Sequence, residues 1–231
     1  MTMDIVDKLV LANKVLVKEK VLDGLGHISV RNPENRDTFL IAGAVAPVNV
    51  KREDIMEVDL EGRVIGAASV KPVGERFLHA AIYQVRDDVN SVFHGHHPLA
   101  VVFSLIDVEL VPVCHLGAFL CDGVPVFKQY REQGGMLIDS LEEGFKVAKV
   151  LGDKRALLLW GHGYVVVAET LERAIVEAIY LVQNAYIQLS LMLLQKKVPS
   201  IPAGEAKTVM EKALFAEGVI SRILEHWLSG L

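Results

Sequence analysis

The stretch Ser91-Val92-Phe93-His94-Gly95-His96-His97-Pro98 decides how the rest of the chain is read. It reads as a short strand over Ser91–His96 running into a helix over Leu99–Leu105. Pro98 suits the first turn of that helix, where its missing N–H would be unpaired anyway. Alternate side chains of a strand share a face, so His94 and His96 point one way and His97 the other. Two imidazoles on one strand face make a ready two-point grip for a metal ion.

Upstream, the apolar spacing of Ile5, Leu9, Ala12, Val15 and Leu16 predicts a helix over residues 4–22, ending at Gly24 and Gly26. Ile28–Val30 and Thr38–Ile41 read as strands joined by the turn-rich Asn32–Asp37, and Asp54–Asp59 with Val64–Ile65 as a hairpin. Gly74–Val85 reads as a helix. Downstream, a strand is expected at Glu109–Val113, a helix at Gly135–Val150, and strands at Ala156–Trp160 and Tyr164–Ala168. Thr170 would cap a long helix to about Gln195, and a last amphipathic helix would run from Ala206 to Trp227. Strands and helices interleave without a strict βαβ rhythm. The fold class is therefore α/β, a mixed sheet covered by helices on both sides. No linker, repeat or low-complexity run divides the chain, so residues 1–231 read as one domain.

With 52% apolar residues in 231, a well-filled core is possible, and no apolar run approaches a membrane span. The net charge of −5 and the scattered basic residues give nucleic acid no footprint. The first twenty residues mix acids and lysines, unlike a secretory leader, and the two cysteines, Cys114 and Cys121, read as reduced thiols. A cytoplasmic protein is expected.

Among eight histidines a third candidate ligand is His162, set between Gly161 and Gly163 directly after the apolar run Leu157–Trp160. Flanking glycines allow a tight turn that carries an imidazole over a neighbouring strand end. Three neutral imidazoles with an open position suit a catalytic zinc, manganese or iron ion better than a closed structural site. Glu75 opens a helix, where a carboxylate is favoured by the helix dipole. Beside a metal it could be a fourth ligand or a general base. His79, one turn on, reads as a packed, hydrogen-bonded residue; His115 as core or pocket; His226 as surface.

These pieces, in this order, resemble the class II aldolase/adducin family. The matching stretches are Gly26-His27-Ile28-Ser29-Val30-Arg31, Glu75 followed by His79, Asp88 to His96, and Gly161-His162-Gly163 before the long helix. The resemblance implies a three-layer α/β/α domain with a central, mostly antiparallel mixed sheet. It also implies a divalent metal on His94, His96 and His162, Glu75 in proton transfer beside it, and a homotetramer.

Departures from the family pattern bear on substrate. Sugar-phosphate aldolases of the family carry asparagine where this chain has His27, and a Ser-Ser pair where it has Val73-Gly74. Losing those donors disfavours a phosphate dianion. The stretches Glu75-Arg76-Phe77-Leu78-His79 and His115 to Leu120, followed by Val124-Pro125-Val126-Phe127, are similar to the decarboxylase branch typified by hydroxy-methylpyridine-dicarboxylate and dihydroxyphthalate decarboxylases. The expectation is a metal-dependent carbon–carbon lyase that decarboxylates a hydroxylated aromatic or heteroaromatic (di)carboxylate. Glu75, His27 and His115 would be its catalytic groups. Ser29 would help bind the substrate, and Arg31 and Arg76 would clamp a second carboxylate. Rival readings are an aldolase, phosphorylated substrate or not, a metal-dependent oxygenase, and a non-catalytic binding module.

Overall fold

The β-branched and aromatic runs of the sequence pair into one sheet of eight strands in the computed structural model, which describes residues 3–229 and 231. These are β1 (His27–Arg31), β2 (Thr38–Ala42), β3 (Ile55–Asp59), β4 (Val64–Ile65), β5 (Ser91–Gly95), β6 (Val126–Phe127), β7 (Ala156–Leu159) and β8 (Gly163–Ala168). Their order is β4-β3-β2-β1-β5-β8-β7-β6, and every neighbouring pair is antiparallel except β6 with β7. This is the mixed, mostly antiparallel α/β sheet expected. The strand that carries His94 lies near its middle, with His27 opposite His94 on one side and Val165 opposite it on the other.

Both faces of the sheet are apolar, so both must be covered. On one face Ile28, Phe93, Tyr164 and Val166 pack beneath α1 (Ile5–Lys18), α3 (Pro98–Leu105), α5 (Leu171–Leu193) and α7 (Glu217–Leu228). On the other, Phe39, Val92, Val165 and Leu157 pack beneath α2 (Arg76–Val85) and α4 (Leu141–Leu151). Each fully buried Phe or Leu contributes on the order of 1.5–3 kcal/mol. Alternation along β5 sends Phe93 to the first layer and Val92, and with it His94, to the second. The chemistry is thereby placed on the α2 side. Asp4, Ser140 and Thr170 cap α1, α4 and α5 with side-chain oxygens.

Three expected elements differ. Glu109–Val113 joins no strand, because two side-chain amides of α5 take the place of a partner. Gln188 accepts from Val111 N–H (3.0 Å) and donates to Glu109 C=O (2.7 Å), while Asn184 accepts from Val113 N–H (2.9 Å) and donates to Val111 C=O (2.8 Å). The helix expected at Gly135–Val150 starts only at Leu141. Gln133, Gly135 and Met136 all have positive φ, and the Ser140 side chain caps the helix by accepting from Glu143 N–H. The last helix is broken into α6 (Ala203–Val209), a π-helical turn (Met210–Leu214) and α7. The break lets Leu214 bury and sets Phe215 under the Arg173 guanidinium at 4.2 Å. No helix among the described residues is long and apolar enough to cross a membrane.

Candidate active site

β5 ends and β8 begins side by side, with Gly95 paired to Tyr164, so residues just beyond either end converge. His94 is the penultimate residue of β5 and His96 follows it. His162 sits in the turn between β7 and β8, where Gly161 takes the left-handed conformation (φ +64°). A Cβ on Gly163 would lie 2.3 Å from the Gly95 carbonyl oxygen, so only glycine lets the two strands approach this closely. Glu75 stands immediately before α2. Its carboxylate and the three imidazoles each offer one ligand atom, and these atoms lie within 4.8 Å of one another.

The orientation of the His94 and His96 rings follows from their outer nitrogens. His94 Nδ1 lies 3.0 Å from the Tyr164 carbonyl, which can only accept, so the proton is on Nδ1 and Nε2 is a bare lone pair. That Nε2 is buried with no hydrogen-bond partner among the described residues. His96 Nδ1 is 3.1 Å from Asp23, the carboxylate–imidazole pairing that commonly supports a metal ligand. Glu75 accepts the Ile138 N–H through Oε1 at 3.0 Å and turns Oε2 to His94 Nε2 (3.4 Å) and His162 Nε2 (3.8 Å). Burial would raise the Glu75 carboxyl, but His94, the Ile138 N–H and His162 outweigh it and hold the group well below the usual carboxylate range. Burial and the neighbouring His94 push His162 down to about 4 and His96 below its ordinary value, Asp23 opposing the latter. The cluster thus sets a carboxylate, Glu75, against the inward nitrogens of His94 and His162. An orphaned lone pair on His94, the outer nitrogens of His94 and His96 tied back, and a charge-bearing oxygen in reach fit a divalent cation.

A cleft of about 440 Å³ opens beside the cluster, lined by His27, Glu75, His96 and His162, by Val73-Gly74, by residues 42–47 and by Asn13 and Asp139. Among the described residues, no Ser, Thr, Tyr, Lys or Arg side chain lines it.

The family model for the class II aldolase and adducin N-terminal domain matches residues 7–189. The chain belongs to the class II aldolase and adducin family. Decarboxylase tropJ of Talaromyces stipitatus is 33% identical over 189 residues, covering 75% of this chain and 71% of that protein. The 3,4-dihydroxyphthalate decarboxylase of Arthrobacter keyseri is 30% identical over 190 residues, covering 75% and 73%. In fold, the chain is similar to a solved L-fuculose 1-phosphate aldolase, with a TM-score of 0.78, 24% identity, and coverage of 93% and 98%.

Within this class II aldolase-type frame several sequence-derived roles are corrected. Arg31 is 5% exposed, and its guanidinium donates to the carbonyls of Val89, Arg36, Tyr83 and Arg86, so it ties β1 to α2 and does not line the cleft. Arg76 is turned away too, donating to Gly62 and Val73 carbonyls with its guanidinium 4.2 Å from the Phe77 ring centroid. Ser29 is fully buried and bonded to His79 and Tyr83. His115 stands exposed at the head of a 3₁₀ turn (His115–Leu120) packed on α5, in the layer opposite the cluster. His27 does line the cleft, its ring centroid 5.2 Å from that of His94.

Three contributors escaped the sequence reading. Asp23 offered one signal, an Asp ahead of Gly24-Leu25-Gly26 that caps the Leu25 and Gly26 N–H groups. The loop that supplies Ile138 N–H offered none. Tyr130, with its ring 6.4 Å from His162 and its hydroxyl buried without a partner among the described residues, reaches the cluster only through tertiary folding.

Proposed function

We propose that this class II aldolase-type protein is a divalent-metal-dependent decarboxylase of a hydroxylated aromatic or heteroaromatic acid. One observation carries the reading. The cleft beside the cluster offers an imidazole, His27, and no hydroxyl or cationic side chain to hold a phosphate. The relatedness to decarboxylases supports it. His94, His96 and His162 would hold the ion, with Glu75 at its edge. When bound, the ion supplies a Lewis acid that favours negative charge on an oxygen conjugated with the carbon losing its carboxylate.

The chain's own groups then move one proton. Glu75, whose carboxylate accepts the Ile138 N–H, takes the proton of the substrate hydroxyl and returns it to the ring carbon that bears the carboxylate. The carbon–carboxylate bond breaks, its electron pair restores the aromatic ring, CO₂ leaves, and the phenolate regains a proton from water. With Arg31 and Arg76 engaged elsewhere, the cleft has no cationic side chain for a second carboxylate, so a substrate with a single carboxylate is the better fit.

The test is CO₂ release from hydroxylated aromatic acids by metal-loaded protein, wild type and Glu75→Gln. The variant should bind the metal and lose about 10²–10⁴-fold in kcat. Full turnover with metal still bound would refute the proton route, and a purified protein that takes up no divalent ion would refute the whole reading. Release of an aldehyde and a keto product instead of CO₂ would assign the site to aldol cleavage.

A further inference from the structure

His27 does not stand alone. Its Nδ1 lies 2.7 Å from His79 Nε2, His79 Nδ1 lies 2.6 Å from Ser29 Oγ, and Ser29 Oγ lies 2.8 Å from the Tyr83 hydroxyl. The chain runs from the interior of the α2 layer to the cleft wall. Tyr83, Ser29 and His79 are at most 1% exposed and His27 is 4% exposed.

The direction of these bonds is determined. Ser29 Oγ is the one group among the described bonds able to accept from the Tyr83 hydroxyl, whose other neighbour, the Val92 N–H, is a donor. If serine donated to tyrosine, the phenolic proton would be buried without an acceptor, which costs about 1–3 kcal/mol. Tyrosine therefore donates to Ser29. The single serine proton goes to His79 Nδ1, which must then carry its own proton on Nε2. His79 Nε2–H donates to His27 Nδ1, leaving the His27 proton on Nε2.

We propose that Tyr83, Ser29 and His79 form a buried hydrogen-bond relay that locks His27 as an Nε2–H donor for the substrate oxygen in the cleft. The role of His27 rests on the decarboxylase reading; its tautomer does not. Two consequences follow. A nitrogen that bears a proton cannot ligate a metal, so His27 stays out of the coordination set although its ring neighbours that of His94. A fixed neutral donor also favours the oxygen as it becomes negative, without reorganising at the moment of reaction. His79, Ser29 and Tyr83 are then positioning residues, acting through His27.

The experiment begins with long-range proton–nitrogen NMR of the zinc-loaded protein, with His27 signals assigned by their loss in His27→Gln. The expected spectrum shows His27 protonated on Nε2 and bare on Nδ1. Protonation on Nδ1, or an even mixture, would overturn the proposal. Two variants add a functional readout. His79→Gln places an amide N–H near the position of imidazole Nε2 and should keep both the tautomer and kcat within about fivefold, whereas His79→Leu should scramble the tautomer and lower kcat about 100-fold with KM little changed. Equal kcat in the two variants would also overturn it. Should the leucine variant not fold, the wild-type spectrum and the glutamine variant still decide. Absence of CO₂ release alongside the expected spectrum would sink the decarboxylase reading and leave the relay standing.

Discussion

His96 owes its direction to Asp23, whose two carboxylate oxygens lie 3.1 and 3.2 Å from Nδ1. That contact holds the ring in the tautomer with a bare Nε2 and raises its basicity toward a cation. Asp23→Asn keeps an oxygen for the Leu25 and Gly26 N–H groups but removes the anionic acceptor. It should weaken divalent-metal affinity about 10–100-fold in a chelator competition, with the unfolding free energy changed by less than about 1 kcal/mol. Unchanged affinity would show that Asp23 serves only as a cap.

At the scale of elements, α5 does the work of a neighbouring strand. Asn184 and Gln188, one turn apart on its buried face, hold residues 109–113 by side-chain amides. Asn184→Leu would leave the Val113 N–H and the Val111 carbonyl without these partners inside the protein. A loss of about 2–4 kcal/mol is expected in urea denaturation, from two unsatisfied backbone groups. Metal affinity should not change, since this strap lies in the α5 layer and the cluster in the α2 layer. A fall in affinity equal to the fall in stability would mean that the two layers are coupled more tightly than their separate cores suggest.

For the molecule as a whole, buried histidines set the response to acid. Burial, with His79 and His94 close by, pushes His27 well below its usual value, and burial with His94 takes His79 to about 3 and His162 to about 4. Their folded values lie below the unfolded value of 6.5, so the unfolded chain binds more protons in between. Their stabilisation is complete above pH 6.5 and is lost as pH falls toward 4 and 3, at about 1.4 kcal/mol per pH unit for each group fully in that window. Glu177 acts in the opposite sense, burial raising it to about 7 against the pull of Arg155 and Arg173. Its contribution is complete below 4.5 and is lost as pH rises to 7. With His96 and His97 lowered by burial in the same sense, the histidines outweigh the one acid, so the metal-free protein loses stability from pH 6.5 to 5, and His79→Gln should flatten that slope by one group's worth. A level unfolding midpoint across this interval would contradict the neutral, buried state of these rings.

Local pattern alone carried a good deal. The alternation around His94 and the glycines around His162 place those imidazoles correctly on strand ends, because period and turn chemistry are properties of neighbouring residues. The mixed sheet with two covered faces was legible for the same reason, in the apolar strands and amphipathic helices, whereas its mostly antiparallel pairing came only with the family resemblance. Tertiary structure decided what no spacing encodes. It decided that Arg31 and Arg76 spend their donors on backbone carbonyls, that His115 lies in the opposite layer, and that residues 109–113 pair with amides of α5. It also brought Asp23 to His96, Ile138 to Glu75, and Tyr83, Ser29 and His79 in line behind His27. A side chain's type is written in the sequence, but its hydrogen-bond partner depends on which distant segments share a buried space, and burial makes that partner obligatory.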